Sequence, residues 1–222
     1  MSAKPHITTG LAKVGTFLRS AQWRQADAAS LTPTQAQIVV HLARRGAARI
    51  AALAEELGVT QPTASDAAAA LVRKGHIERR PDPSDGRASL LYPTAQGRRA
   101  ADALAVWPDA LLAAVDALDP SEQAAFLKGL TKMIRALQVR GAIPVQRMCA
   151  TCRFFRPNVH DDPAAPHHCS FVDAAFGDAA LRLDCGEHEG ASDPEAGATW
   201  RRFTGETADK EDASPAATDE AS

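Results

Sequence analysis

Apolar residues recur at helical spacing through most of the first two thirds of the chain. A first helix is predicted within residues 1–30, where one stripe consists of Leu11, Val14, Phe17 and Leu18. A second helix is predicted from Pro33 to about Arg45, because Thr32 is a suitable N-cap and Gly46 interrupts the pattern. The chain therefore begins as a predominantly helical protein.

Two further helices are separated by a short turn. The first of them has an apolar repeat formed by Ile50, Leu53 and Leu57. Gly58 follows at a position where glycine often ends a helix, Thr60 can cap the next helix, and Gly75 ends it. This spacing predicts a helix-turn-helix, whose second helix enters the major groove of DNA when the motif binds DNA.

The pattern changes from helical to strand-like after Gly75. Residues 76–80 and 89–92 are both predicted strands, and the residues between them, 81–86, are dense in proline, aspartate, serine and glycine. Two arginines precede this turn and Arg87 follows it. The segment therefore predicts a β-hairpin with a basic tip.

Helical spacing returns after the hairpin. Thr94 caps a predicted helix that reaches about Leu118, with a break or kink at Pro108. A last long helix is predicted to open with residues 119–122, which have the residue types of a capping box, and to end at Gly141.

Charge is distributed unevenly, although the net charge is only −2. From Thr60 to Arg99 there are seven lysines and arginines and four acidic residues. From Gly190 to Ser222 there are three basic and eight acidic residues. A locally basic region is thus offset by an acidic tail, and a local basic face is what nucleic-acid binding requires.

Other function classes find no support in the sequence. The chain contains no apolar run of the roughly 18 residues needed to cross a bilayer and no signal peptide in residues 1–20, so we expect a cytoplasmic protein that does not bind membranes. No nucleophile-elbow, phosphate-loop or zinc-hydrolase motif is present, so we expect a protein that is not an enzyme.

Residues 53–97 closely resemble the winged helix-turn-helix of MarR-family regulators, and the order of elements matches over residues 6–140. The most specific pieces of the match are Gly58 to Thr63 with Ser65, Gly75 with Ile77 to Arg79, and Asp82 to Arg87. The resemblance implies a homodimer, joined through its N- and C-terminal helices, that binds a pseudo-palindromic site on double-stranded DNA.

The resemblance also places the candidate DNA-binding residues. In the recognition helix they are Thr60, Gln61, Pro62, Thr63, Ser65 and Asp66, and the remaining candidates are Arg73, Arg79, Asp85 and Arg87. Arg87 is expected in the minor groove, with its guanidinium paired to Asp85 as the family pattern implies. Asp66 departs from many relatives, so it either accepts from a cytosine amine or points away from the duplex.

All four cysteines of the chain lie in its last third, at Cys149, Cys152, Cys169 and Cys185. In a reducing compartment such a cluster more often binds metal than forms disulfides. Four thiolates suit an iron–sulfur cluster or a tetrahedral zinc ion, and free redox-switching thiols are a third alternative. A histidine could also replace one cysteine as a ligand, and the candidates are His160, His167, His168 and His188.

One Cys-x-x-Cys followed by two distant cysteines with apolar neighbours is similar to the pattern of high-potential iron–sulfur proteins, over about 40 residues. The resemblance implies a four-iron, four-sulfur cluster. A cluster would make the segment a sensor of redox or iron state, whereas a zinc ion would stabilise the fold of the segment.

The fold class expected is mainly α with a small β-wing: a winged helix-turn-helix with dimerising terminal helices, plus a small irregular metal-binding module. The predicted divisions are 1–144 for the winged helix and dimerisation domain, 145–190 for the cysteine module and 191–222 for a disordered tail. The leading hypothesis is a transcription regulator, expected to be a repressor. One alternative is a repressor that responds to a small-molecule effector and has a structural zinc site. The other is an electron-transfer protein that uses its helices only for interaction.

Overall fold

The computed structural model describes residues 2–206, and the chain divides after Ala114 into two units. The helices of the first unit are α1 (Lys4–Ala28), α2 (Pro33–Arg45), α3 (Ile50–Leu57), α4 (Gln61–Arg73) and α5 (Ala95–Leu104). Its strands are β1 (Ile77–Asp82) and β2 (Asp85–Pro93). Helix α6 (Asp109–Asp116) crosses the division, and the second unit contains α7 (Pro120–Val139) and α8 (Asp193–Thr204).

The predicted caps of the first helices are confirmed. The side chain of Thr32 accepts from the backbone N–H of Gln35 while the Gln35 side chain accepts from the N–H of Thr32, a complete capping box. Gly58 ends α3 in the left-handed region at φ 64°, which a residue without Cβ adopts at little cost. The predicted interruption near Pro108 is also present, since α5 ends at Leu104 and α6 begins at Asp109.

The core of the first unit joins the helix-turn-helix to the hairpin. Its fully buried side chains come from α2, α3, α4 and both strands, and they include Ile38, Val39, Leu42, Leu53, Leu71, Ile77 and Leu91. The strands pair antiparallel from Ile77 opposite Pro93 to Pro81 opposite Ser89, with an irregularity after Pro81. The hairpin, called the wing below, is therefore anchored at its base by the same core that holds α4.

The second unit contains a small antiparallel sheet, with strand order β3 (Phe155–Arg156), β4 (His167–Cys169) and β5 (Ala174–Phe176). Short 3₁₀ turns at Cys149–Thr151 and Asp178–Ala180 flank it in sequence. Phe155, Leu181 and Phe203 form the buried core of the unit, and Leu127 of α7 packs against them. The cysteine module and α7 thus share one core.

The prediction of a disordered tail over 191–222 is wrong for α8. This helix opens with a capping box between Ser192 and Glu195, and its Phe203 is 2 % exposed against the ring of Phe155. The stabilising contact comes from a residue far away in sequence, so the polar composition of the segment concealed it. The rest of the predicted tail, residues 207–222, lies outside the described residues.

None of the helices within residues 2–206 combines the length and the apolar character that crossing a membrane requires.

Candidate nucleic-acid interface and cysteine cavity

Helix α4 presents a polar N-terminal turn on its outer side. Gln61, Pro62, Thr63 and Asp66 are exposed and Ser65 is half-buried. On its inner side the helix is close-packed through small residues, since Ala64 and Ala68 are fully buried. Small inward residues let α4 pack closely against the core, and the outer turn is left free for an external partner.

The hydroxyls at the start of α4 already have partners within the helix. Thr60 Oγ1 accepts from the backbone N–H of Thr63 at 3.3 Å and lies 2.8 Å from Thr63 Oγ1. This N-cap fixes the first turn of the helix. Of the polar candidates here, Gln61 keeps the longest exposed side chain.

An ion pair joins the tip of the wing to the start of α3. The Nε and Nη2 atoms of Arg49 lie 2.7 and 2.6 Å from Asp82 Oδ2, and Asp82 is nearly buried. Hydrogen bonds from the hydroxyl and the backbone N–H of Ser84, together with Arg49, lower the pKa of Asp82 to about 2. The carboxylate is therefore ionised at neutral pH and holds the turn and Arg49 in place.

The expected pairing of Asp85 with the Arg87 guanidinium is not what the structure shows. Asp85 Oδ1 accepts from the backbone N–H of Arg87 at 3.1 Å, and its other oxygen lies 3.7 Å from Arg49 Nη1. Arg49 reaches both aspartates of the wing turn, so it takes the partner that the sequence assigned to Arg87. The Arg87 side chain is exposed and forms no ion pair with any residue in the described range 2–206.

Other basic candidates lie on the surface around the wing. Arg73 at the end of α4 and Arg79 on β1 are both exposed. Arg80 instead pairs with Glu78, and its guanidinium lies 4.7 Å from the centre of the Tyr92 ring. Arg49 is the residue that sequence reasoning missed. It precedes α3 as an N-cap without a capping bond, and its partner Asp82 is 33 residues away.

All four cysteines line a single cavity of about 150 Å³ in the second unit, and all four are free thiols. Most of the other lining residues are apolar, among them Phe154, Phe155, Phe171 and Val172, and the two charged ones are Arg182 and Glu187. The structure therefore brings together the four residues that the sequence singled out, from positions up to 36 residues apart.

Among residues 2–206, Arg182 makes the polar contacts to the cysteine sulfurs. The backbone N–H of Arg182 donates to Cys149 Sγ at 3.3 Å, and Arg182 Nη1 lies 3.8 Å from Cys185 Sγ. Burial raises the pKa of Cys149, the N–H of Arg182 opposes that rise, and negative charge on any of the other three thiols would add to it.

The four histidine candidates are not among the cavity-lining residues. His160 Nε2 lies 3.3 Å from His168 Nδ1, and His168 Nε2 lies 3.2 Å from Asp173. His188 contacts the Thr151 hydroxyl at 2.9 Å. Each of these side chains has a polar partner elsewhere, so the structure gives no histidine the place of a cysteine.

The remaining histidine links the sheet to α7. His167 is fully buried, accepts from the backbone N–H of Asn158 at its Nδ1 atom, and lies 2.9 Å from Asp178 through Nε2. Lys128 of α7 donates to the same carboxylate at 2.9 Å. Burial would raise the pKa of Asp178, but the bonds from His167 and Lys128 outweigh it and lower that pKa.

Residues 29–88 match the model of the MarR family. This stretch includes α2, the helix-turn-helix and the tip of the wing. No curated protein matches the chain in sequence. In this part of the chain the sequence is therefore similar to the MarR family.

Solved structures with a similar fold cover about three fifths of the chain. The S. aureus MepR–DNA complex aligns with a TM-score of 0.51 at 21 % identity, over 60 % of this chain and 98 % of that one. The transcriptional regulator SlyA aligns with a TM-score of 0.51 at 21 % identity, over 59 % of this chain and 94 % of that one. A MarR protein from Peptoclostridium difficile aligns with a TM-score of 0.51 at 19 % identity, over 59 % of this chain and 88 % of that one. At these identities the likeness shows the fold.

Proposed function

We propose that the protein is a DNA-binding transcription regulator, and that its cysteine cavity holds a four-iron cluster through which redox or iron state controls DNA binding. The observation that carries the first part is that the polar first turn of α4 and an arginine of the wing are both exposed. S. aureus MepR, which has a similar fold, was solved as a complex with DNA. Regulation of transcription is the function that best uses such a surface.

The DNA contacts follow from the geometry of the winged helix. Gln61 and Thr63 on the outer turn of α4 would face base edges and phosphates in the major groove. The unpaired guanidinium of Arg87 would enter the adjacent minor groove, where a narrow groove has the most negative potential. Arg49 holds the turn of the wing through Asp82 and remains 45 % exposed, so it can also contact a phosphate.

The size and lining of the cavity are our reasons for proposing an iron–sulfur cluster rather than a single zinc ion. A zinc ion bound by four cysteines draws all sulfurs to about 2.3 Å from one point. Among residues 2–206, no three Cys, His, Asp or Glu side chains converge in a way that could hold one ion. The four thiols instead surround a void several times the ~30 Å³ that one water occupies. Apolar walls and N–H donors to sulfur are features that set the potential of such clusters.

When bound, such a cluster supplies one-electron redox chemistry. The residues of this chain would transmit its state to α7. Phe155 and Phe176 line the cavity and also contact the ring of His167, which binds Asp178 and through it Lys128 of α7. Leu127 packs on the same core as Cys149. A shift of the cavity wall therefore changes the packing and charge contacts of α7.

A homodimer belongs to this proposal. Helix α1 exposes Ile7, Val14 and Trp23, and α7 exposes Phe126, Met133 and Leu137. Exposed apolar stripes of this length on two helices are typical of surfaces that a second copy covers. Two copies would present two winged helices to a pseudo-palindromic site, with half-sites about one helical turn apart.

One anaerobic preparation of the full chain tests both parts of the proposal. The protein should be brown, with iron and sulfide in comparable amounts, and it should select a pseudo-palindrome from random DNA. The variant Cys169→Ser, which removes one lining thiol, should be colourless.

Colourless wild-type protein with one zinc per chain would contradict the cluster and favour the alternative of a zinc scaffold with a small-molecule effector. Brown protein that selects no DNA sequence would contradict the regulator and favour electron transfer.

A further inference from the structure

We propose that Arg182 sets the reduction potential of the cysteine site by holding a positive charge against its sulfurs. The inference rests on the proposed cluster and adds a role for one residue of this chain. Arg182 lines the cavity, and the same residue reaches two of the four sulfurs, Cys149 through its backbone and Cys185 through its guanidinium.

The two contacts of Arg182 have different origins and can be separated. The N–H that donates to Cys149 Sγ belongs to the main chain, so a substitution at position 182 retains it. The guanidinium that approaches Cys185 Sγ at 3.8 Å belongs to the side chain and is lost in a neutral variant. Any effect of a neutral substitution therefore reports the side-chain charge.

The direction of the effect follows from charge alone. One-electron reduction of a cluster held by four thiolates would make the reduced site one charge more negative than the oxidised site. A nearby cation stabilises the more negative state, and it does so even where solvent screens part of the attraction. Arg182 should therefore favour the reduced state and raise the midpoint potential.

A neighbouring arginine provides a matched control. Arg147 lies in the same unit and its backbone carbonyl accepts from the N–H of Cys185, but its guanidinium binds Asp184 at 3.1 Å and does not line the cavity. The variant Arg147→Gln removes one positive charge close to the cysteines in sequence while leaving the sulfur contacts of Arg182 in place.

The test is a redox titration of the full-length protein, purified anaerobically, with the visible absorbance of the bound cluster as readout. Because Arg182 is exposed and solvent screens its charge, Arg182→Gln should shift the oxidised-to-reduced ratio at a fixed potential by no more than about tenfold towards oxidation, which is about 59 mV for one electron. Arg182→Lys keeps the charge and should stay nearer to wild type, and Arg147→Gln should match wild type.

The outcomes separate the two proposals. A lower midpoint in Arg182→Gln alone supports the role of Arg182. A midpoint that is unchanged in Arg182→Gln, or equally lowered in Arg147→Gln or Arg182→Lys, overturns that role while the cluster stands. Wild-type protein without iron and sulfide overturns both.

Discussion

Replacing Arg87 with alanine should weaken operator binding by about 1–3 kcal/mol, a factor of roughly 5 to 150. The guanidinium is exposed at the wing and has no ion-pair partner within the described residues, so DNA would meet it without first breaking a protein contact. If its contact is a single phosphate, the slope of log affinity against log salt should also fall by about one. Fluorescence anisotropy over a salt series measures both.

Arg19→Ala is the matched control, since it removes the same charge from α1, outside the winged helix. Arg49→Ala adds a second comparison, because that residue fixes the wing through Asp82. If Arg87→Ala binds the operator as tightly as Arg19→Ala at every salt concentration, the wing does not contact DNA.

Replacing Gly97 with alanine should destabilise the winged helix by about 2–3 kcal/mol and lower its melting temperature by roughly 10 °C. An added Cβ would lie 2.0 Å from the carbonyl oxygen of His76, which is backbone and cannot rotate away. The same His76 carbonyl accepts from Thr94, the cap of α5. The substitution thus forces apart the start of α5 and the junction between α4 and the wing.

Gly10→Ala is the control for that measurement. Its added Cβ meets nothing within 4 Å in the middle of α1, so it should leave stability unchanged or raise it by about 0.5–1 kcal/mol. Thermal unfolding followed by circular dichroism compares the two variants. Equal melting temperatures for Gly97→Ala and wild type would contradict the close approach.

Local signals in the sequence were sufficient for the helix-turn-helix, the wing and the opening of α7. Thr32, Thr60 and Asp119 cap helices by bonds to residues two or three positions away, so their residue types and spacing predict them. Interactions between distant residues could not be predicted in this way. Arg49 meets Asp82 across 33 positions and also approaches Asp85, whereas the family resemblance implied that Asp85 would pair with the Arg87 guanidinium.

The same limit applies to the second unit. The identity of the four cysteines as one site followed from their spacing, and the structure places them around one cavity. That Arg182 approaches the sulfurs, or that Phe203 of α8 packs on Phe155, depends on chain folding over tens of residues. Composition averaged over residues 190–222 hid the two aromatic residues that anchor α8, Trp200 and Phe203.

The most direct test of the central claim is the operator affinity of one anaerobic preparation, measured at fixed salt before oxidation and after oxidation that destroys the cluster. Coupling of the cysteine site to DNA binding predicts a change of about 5- to 150-fold, the usual range for two linked sites. The variant Cys169→Ser should show no response to the same treatment. Equal wild-type affinity in the two states would contradict control of DNA binding by the cysteine site.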